Sequence, residues 1–385
     1  MAPTKEGMRL KAELLAEGVL PTSTFLKHYG APFLEKRRAY GNPDALSFRR
    51  VVLPQELYVL PDRLVCAVNV RQSSHWKLDW SESLGFVVHP SDWERATPIT
   101  FPHRPAFYDA PLRSGAPVSS VITLYGGGSL GIFVYGSCSL VDMGKPCAYC
   151  SIAPNRSQVD EFAHVVDERA LSNALDVALT DASVPIGQVM INGGNFRDLD
   201  RSFRYYARLV AAARRAIERA GRSDVELHLI VFPPNDHQLF GELSGLDVHV
   251  AMNCEVHDEA LFNRHCPGKL AIGGKRALLS GLEDAVKVLG PGHVYSIFVG
   301  GLEPVPSLER GLELVAGLGA TPIINVFHAD PETPLAAHPV ASREQILAMG
   351  AALQGVYERH AFMRPFYADC GRNSIDTEAH RRLFN

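Results

Sequence analysis

Residues 131–151 read GIFVYGSCSLVDMGKPCAYCS. A short apolar run, GIFVYG (131–136), stops at a glycine, and three cysteines follow at positions 138, 147 and 150. An apolar run of this length bounded by glycine reads as a buried strand. The cysteines therefore fall just beyond a strand's carboxyl end. Downstream, the same texture returns five times: IGQVMIN (186–192), VELHLIVF (225–232), DVHVAMN (247–253), HVYSIFVG (293–300) and TPIINVF (321–327). Segments of helical period accompany them, among them ERALSNALDVALTD, RSFRYYARLVAAARRAIERA, RALLSGLEDAVKVLG, SLERGLELVAGLG and REQILAMGAALQGVYE. Six β-then-α units in order predict an α/β fold, a (βα)6 partial TIM barrel with a parallel sheet inside its helices. Ligands bind such sheets at the carboxyl ends of the strands, which is where the cysteine loop stands.

Upstream the texture is irregular. An amphipathic helix is expected over 5–17, then short strand-like runs, RVVLPQELYVL (50–60) and RLVCAVNV (63–70), and Pro-rich connections. This divides the chain into an α+β accessory region over 1–125 that covers substrate, a barrel core over 126–345, and a C-terminal helix and tail over 346–385 that close the barrel. The tail, HAFMRPFYADCGRNSIDTEAHRR, combines aromatic and polar groups, so it is expected to fold over the barrel mouth. There it would present Arg364, Tyr367, Cys370 and Arg372 to substrate, the arginines suiting a carboxylate or phosphate.

Composition narrows the classes. With 385 residues, 46% of them hydrophobic and 21% charged, the chain buries a full core and is not a disordered polymer. A net charge of −4 offers no basic field to nucleic acid or to an anionic membrane. The short basic clusters at 36–38, 49–50 and 214–215 read as solvated faces. The start MAPTKEGMRLKAELLAEG lacks the apolar centre of a signal peptide, and there is no run of about 18 apolar residues. The expectation is a soluble, cytoplasmic protein. In that setting seven cysteines are metal or redox ligands before they are disulfides.

Three readings of Cys138, Cys147 and Cys150 compete. They are buried thiols acting as small hydrophobes, three of the four ligands of a structural zinc, or thiolate ligands of an iron–sulfur cluster. For zinc, Cys254, Cys266 or a histidine would have to complete the set. On a four-iron cluster, three protein thiolates leave one iron free for a small molecule.

The triplet after the first strand of a β/α barrel resembles the radical S-adenosylmethionine (SAM) superfamily, in particular barrels of the biotin-synthase and lipoyl-synthase sort. The usual spacing there is Cys-x3-Cys-x2-Cys. This chain keeps the second half, with Tyr149 in the aromatic position, and lengthens the first gap to give Cys-x8-Cys-x2-Cys. Further strand ends resemble the superfamily too. INGGNFRD carries Gly193 and Gly194 like the Gly-Gly-Glu turn that receives the amino group of SAM, with Asn195 in place of the acid. Glu255 in MNCEVHDE resembles the residue that holds the ribose hydroxyls. FVGGLEP, with Gly301 and Glu303, resembles the segment near the adenine, and NVFHADPETPL places His328 at the end of the sixth strand.

The resemblance implies a 4Fe-4S cluster held by the three cysteines, SAM as cofactor, and reductive cleavage of SAM to a radical. The usual product is a 5′-deoxyadenosyl radical; a 3-amino-3-carboxypropyl radical is the alternative. It also implies an electron donor such as flavodoxin or ferredoxin. No second cysteine cluster is present, which argues against an auxiliary cluster, and no cobalamin-binding extension is visible; the acidic balance and the absence of an appended RNA-binding module favour a small-molecule substrate. Tyr367 and Cys370 are the candidate catalytic groups, and Arg364, Arg372 and Cys254 the candidate substrate contacts. A tRNA-modifying radical enzyme and a non-catalytic, zinc-stabilised α/β protein are the rival readings.

Overall fold

The computed structural model describes residues 4–35, 53–92, 95–154, 163–330 and 332–384. The basic clusters at 36–38 and 49–50 lie outside the described residues. Two sheets organise the chain. The second is the larger and is built from the apolar runs identified above. Its parallel strands are β8 (Ser129–Tyr135), β9 (Gln188–Gly193), β10 (Glu226–Ile230), β11 (Val248–Ala251), β12 (Val294–Gly300) and β13 (Thr321–Val326), neighbours in chain order. A seventh strand, β7 (Ile122–Tyr125), pairs antiparallel with β8. The sheet thus begins four residues before the expected boundary at 126. Its short ITLY run is joined to β8 by the turn Gly126–Gly127, both at positive φ (56° and 70°), which suits a tight hairpin.

Helices cross between the strands. They are α4 (Glu168–Ala178), α5 (Leu199–Arg219), α6 to α8 (Glu259–His265, Pro267–Ala271, Gly274–Leu289), α9 (Val305–Gly317) and α10 (Arg343–Arg359). Before them come α1 (Lys5–Glu17), α2 (Ser23–His28) and the short α3 (Ser139–Asp142). α4 shows why these segments are helical. Asp167 caps it by accepting from the Ala170 N–H, and Leu171, Ala174, Leu175 and Ala178 form one buried stripe. The third unit corrects the expectation of six β-then-α repeats: β10 is followed by a 3-10 turn, His237–Leu243, rather than an α-helix. Phe232 and Pro233 each precede a proline, which disfavours helical backbone at both and keeps the chain extended before that turn.

Side chains of the parallel strands alternate between two environments, as the pleat requires. Val189 and Ile191 of β9 pack outward into the main core, whereas Met190 turns inward. Inside the curve Met190 meets Ala251, Tyr295, Ile297, Ile323 and Phe366. Phe366 comes from the tail. The tail enters the half-barrel near the amino ends of the strands. The Phe366 carbonyl accepts from Gln188 Nε2 at 2.7 Å, and its N–H donates to the buried Asp376 carboxylate at 2.7 Å. It then runs antiparallel along the free edge of β13, with Val326 N–H to Asn373 O at 2.9 Å and Ile375 N–H to Ile324 O at 3.2 Å. After it comes the last helix, α11 (Asp376–His380).

The first sheet has the order β1-β4-β5-β6-β2-β3 and precedes the barrel in the chain. Its strands are β1 (Leu20–Pro21), β2 (Glu56–Val59), β3 (Leu64–Ala67), β4 (Lys77–Ser81), β5 (Gly85–His89) and β6 (Thr97–Thr100). Both ends of the chain meet here. Fully buried Lys11 of α1 donates to Gly371 O, Ser374 O and the Glu378 carboxylate, and the Ala67 N–H of β3 donates to Arg372 O. Among the described residues no helix is long and apolar enough to cross a membrane.

Candidate functional site

A cavity of about 430 Å³ opens where the parallel strands end, lined by β8, β9, β10, β12, β13, their following loops and the tail. The cysteine loop forms one wall. Cys138 follows β8 and starts α3, its carbonyl accepting from the Val141 and Asp142 N–H groups. The long first gap is therefore a folded helical turn, closed by Gly144 at positive φ and by Lys145 N–H to Leu140 O. α7 braces it: a side chain at Gly268 would collide with the Lys145 carbonyl. The Cys150 N–H then bonds Cys147 O at 3.0 Å, and Ala148 N–H bonds His265 O at 2.8 Å. All three thiols and Tyr149 line the cavity.

The strand-two turn holds this loop in place. A Cβ at Gly194 would run into the Ser137 carbonyl and come within 2.8 Å of Cys138 Cβ, so the two loops meet backbone to backbone. Asn195 makes two bonds to the cysteine loop: its carbonyl accepts from Ser139 N–H at 2.9 Å and its Oδ1 from the Cys138 thiol at 3.1 Å. The Gly194 carbonyl accepts from Tyr206 OH at 2.6 Å. Gly193, Gly194 and Asn195 all reach the cavity, and Asn195 positions Cys138 directly.

Glu255 lines the cavity in a left-handed backbone conformation, φ 64°, uncommon for a residue with a side chain. Pairing with β12 holds it there, through Glu255 N–H to Ile297 O and Val299 N–H to Glu255 O. Its carboxylate meets Lys269 Nζ at 2.6 Å, and the same ammonium donates to Asn253 O at 2.9 Å. Burial alone would push the Lys269 ammonium down in pKa; Glu255, then Cys147 and Cys266, reverse this and raise it. Sequence reading missed Lys269, because a separation of 14 residues across two helices carries no periodic signal. It also set Cys266 aside, which the fold brings to Cys147 and within 3.8 Å of Tyr149 OH. A bond from Cys266 holds the Cys147 thiol below its ordinary value, whereas burial pushes Cys150 up to about 12.

The opposite wall is the tail. Tyr367, Cys370 and Arg372 line the cavity, with Tyr367 OH 3.2 Å from Asn325 Nδ2. Burial first, and then the negative charge of Glu56, pushes Cys370 up to about 12, so it is a thiol at neutral pH. The Arg372 guanidinium lies 4.5 Å from the Tyr125 ring centroid, with Nε 3.5 Å from the fully buried Glu56. His328 also lines the cavity, 3.1 Å from Asp330. Four amides that sequence reading did not single out, Asn192, Asn253, Asn325 and Asn373, complete the lining. Among the described residues the Oδ1 atoms of Asn253 and Asn373 are buried without a hydrogen-bond partner, so a ligand's donors would satisfy them.

Four sequence-selected residues lie elsewhere. The Glu303 carboxylate accepts from the His257 and Asp258 N–H groups at 2.7 and 2.9 Å, which caps the entry to α6. Gly301 makes the turn after β12 at φ 101°. Cys254 is buried outside the cavity lining, its N–H bonded to Ser296 Oγ. Arg364 is exposed, and its charge is felt at Glu226, the first residue of β10, at the amino end of the strands. The tail enters from that end, which leaves Arg364 at the entrance and Arg372 beside the cavity.

Zinc and cluster readings differ in the compactness they require. A tetrahedral zinc with Zn–S bonds of about 2.3 Å holds its sulfurs roughly 3.8 Å apart. Among the described residues the cysteine sulfurs form no set of three that compact, with or without Cys266.

No protein-family model matches the sequence, and a comparison with curated proteins finds no match either. Among solved structures, methylornithine synthase (PylB) is similar at 13% identity, over 64% of this chain and 70% of that one, with a TM-score of 0.44. A radical SAM methyltransferase from Sphaerobacter thermophilus aligns over 86% of this chain and 84% of its own at 11% identity, TM-score 0.43. The FeFe-hydrogenase maturase HydG from Carboxydothermus hydrogenoformans aligns over 65% of this chain at 11% identity, TM-score 0.38, and this chain spans 59% of that protein's length.

Proposed function

We propose that the chain is a radical SAM enzyme acting on a small molecule, with Cys138, Cys147 and Cys150 as ligands of a 4Fe-4S cluster. The observation that carries this reading is the placement of three thiols from one loop on the wall of a cavity at the strand ends. When bound, the cluster supplies the electron that breaks a carbon–sulfur bond of SAM and so generates an organic radical.

The chain's own residues do the rest. Gly193 and Gly194 bring backbone to the cavity beside the thiols, where a methionyl amino group would lie. Glu255 keeps Oε2 for a ribose hydroxyl while Oε1 is held by Lys269. Asn253 and Asn373 offer their unpartnered oxygens to ligand donors. Cys370, kept as a thiol, has a hydrogen atom to donate to a substrate radical, the thiyl radical left behind being returned to the thiol by one electron from the donor protein and a proton; Tyr367 beside it fixes the substrate. The lining apolar groups, with the tail as a wall, exclude water. Flavodoxin or ferredoxin is the proposed electron source. A cavity of about 430 Å³ is of small-molecule size, which favours such a substrate over tRNA.

The test is anaerobic reconstitution followed by reduction with SAM present. About four iron and four sulfide per chain are expected, with 5′-deoxyadenosine as product. Methylthioadenosine instead would show that the aminocarboxypropyl bond is the one cleaved. Stoichiometric zinc with no SAM cleavage would overturn the proposal.

A further inference from the structure

A second cluster of donor atoms stands at the other end of the barrel. His228 of β10 lies in register with His249 of β11, and the Val250–Val294 register sets His293 beside His249. The three imidazoles stack in a row, His228 on His249 at 4.8 Å and His249 on His293 at 5.0 Å. Glu226, two residues before His228 and so on the same face, brings Oε2 to 3.0 Å from His228 Nε2. One donor atom from each of Glu226, His228 and His249 lies within 4.8 Å of the other two. Among the described residues no other three His, Cys, Asp or Glu side chains meet that condition. None of these residues lines the cavity described above.

An independent observation concerns His228 itself. It is fully buried, and its Nδ1 has no hydrogen-bond partner among the described residues. A buried ring nitrogen left without a partner is uncommon in a protein core. Phe366 of the tail covers the inner side, its ring 4.5 Å from the imidazole. Glu226 is exposed and His249 partly so, which leaves an ion a route in from the amino end.

We propose that Glu226, His228 and His249 form a site for a divalent transition metal such as zinc, with His293 at its margin. Two imidazole nitrogens and one carboxylate oxygen are a donor set that zinc, cobalt and nickel share. Bonds of about 2.0–2.2 Å hold such ligand atoms roughly 3.3–3.6 Å apart, so small side-chain rotations close the set and leave a position for water. The ion clamps β10 to β11 beneath Phe366 and stiffens the floor of the barrel. This inference is independent of the chemistry proposed for the carboxyl end.

The test uses the full chain carrying Cys138→Ala, Cys147→Ala and Cys150→Ala, stripped of metal with a chelator and titrated with zinc and with cobalt. One zinc per chain is expected, raising the melting temperature by linkage. Bound cobalt should give visible ligand-field bands without thiolate charge transfer. Glu226→Gln and His249→Gln, both at solvent-reached positions, should each weaken binding by at least the roughly 10–100-fold known for outer-shell partners. Absence of uptake near neutral pH overturns the site, as does unchanged affinity in both variants. Thiolate charge transfer also overturns it, placing the metal on the remaining cysteines. If the triple variant does not fold, the same His249→Gln comparison is made on the wild-type chain. The cobalt bands free of sulfur character must then disappear; their persistence overturns the proposal.

Discussion

Cys138, Cys147 and Cys150 carry the functional proposal, and each can be tested alone. Alanine at any one should abolish the visible absorbance of a reconstituted cluster and all SAM cleavage, whereas Cys66→Ala should keep both. Cys66 lies in β3, fully buried among apolar side chains and outside the cavity lining. Lys269 makes a different prediction. Lys269→Met leaves the Glu255 carboxylate buried without its partner, so denaturant unfolding should show a loss of about 3–5 kcal/mol. Lys269→Met combined with Glu255→Gln should recover part of that loss, since the uncompensated charge is gone. Equal stability of the single variant and the wild type would remove the pair from any structural role. The pair also changes how Glu255→Ala is read: weaker SAM binding in that variant mixes a lost ribose contact with an unpaired ammonium.

At the scale of elements, the contact between the cysteine loop and the strand-two turn decides whether the thiols are held in place. Gly194→Ala inserts a methyl group where the Ser137 carbonyl already sits. Overpacking of this kind costs about 1–3 kcal/mol, and the part that can yield is the α3 turn. The variant should remain folded by circular dichroism yet bind less iron on reconstitution. Full iron content would show that the loop adjusts without cost to the site. Asn195 belongs to the same contact: INGGN was legible as a ligand-binding turn, but its grip on Cys138 is a tertiary bond that no local pattern announces.

The whole molecule is held by its two ends. The tail fills the half-barrel with Phe366, pairs with the free edge of β13 through Asn373–Ile375, and accepts three hydrogen bonds from Lys11. Truncation after residue 358 therefore removes core together with the segment that pairs with the edge of β13. The expected result is loss of cooperative thermal unfolding, not a folded enzyme with uncoupled SAM cleavage. A truncated chain that melts cooperatively near the wild-type temperature would show that the tail is a detachable cover. Cys370→Ser is the finer probe of the cavity wall: it should leave cluster and SAM binding intact and lower substrate turnover.

What the sequence determined by itself is local and periodic. The six apolar runs end where the parallel strands end to within a few residues, the opening helix spans the expected 5–17, and the cysteines stand at a strand's carboxyl end. Strand and helix periods, glycine stops and caps act over a few residues, so they survive reading one residue after another. The third crossover shows the limit even there, since Pro233 and Pro234 were present in the sequence but were outweighed by the rhythm of the other units. Tertiary structure alone decided the pairings between distant residues. It set Lys269 against Glu255 and Cys266 against Cys147, and seated Phe366 of the tail inside the barrel. It also aligned Glu226, His228 and His249, which strand register brings together. These contacts join residues whose separation in the chain reflects no period, and burial in a low-dielectric interior is what makes each of them matter.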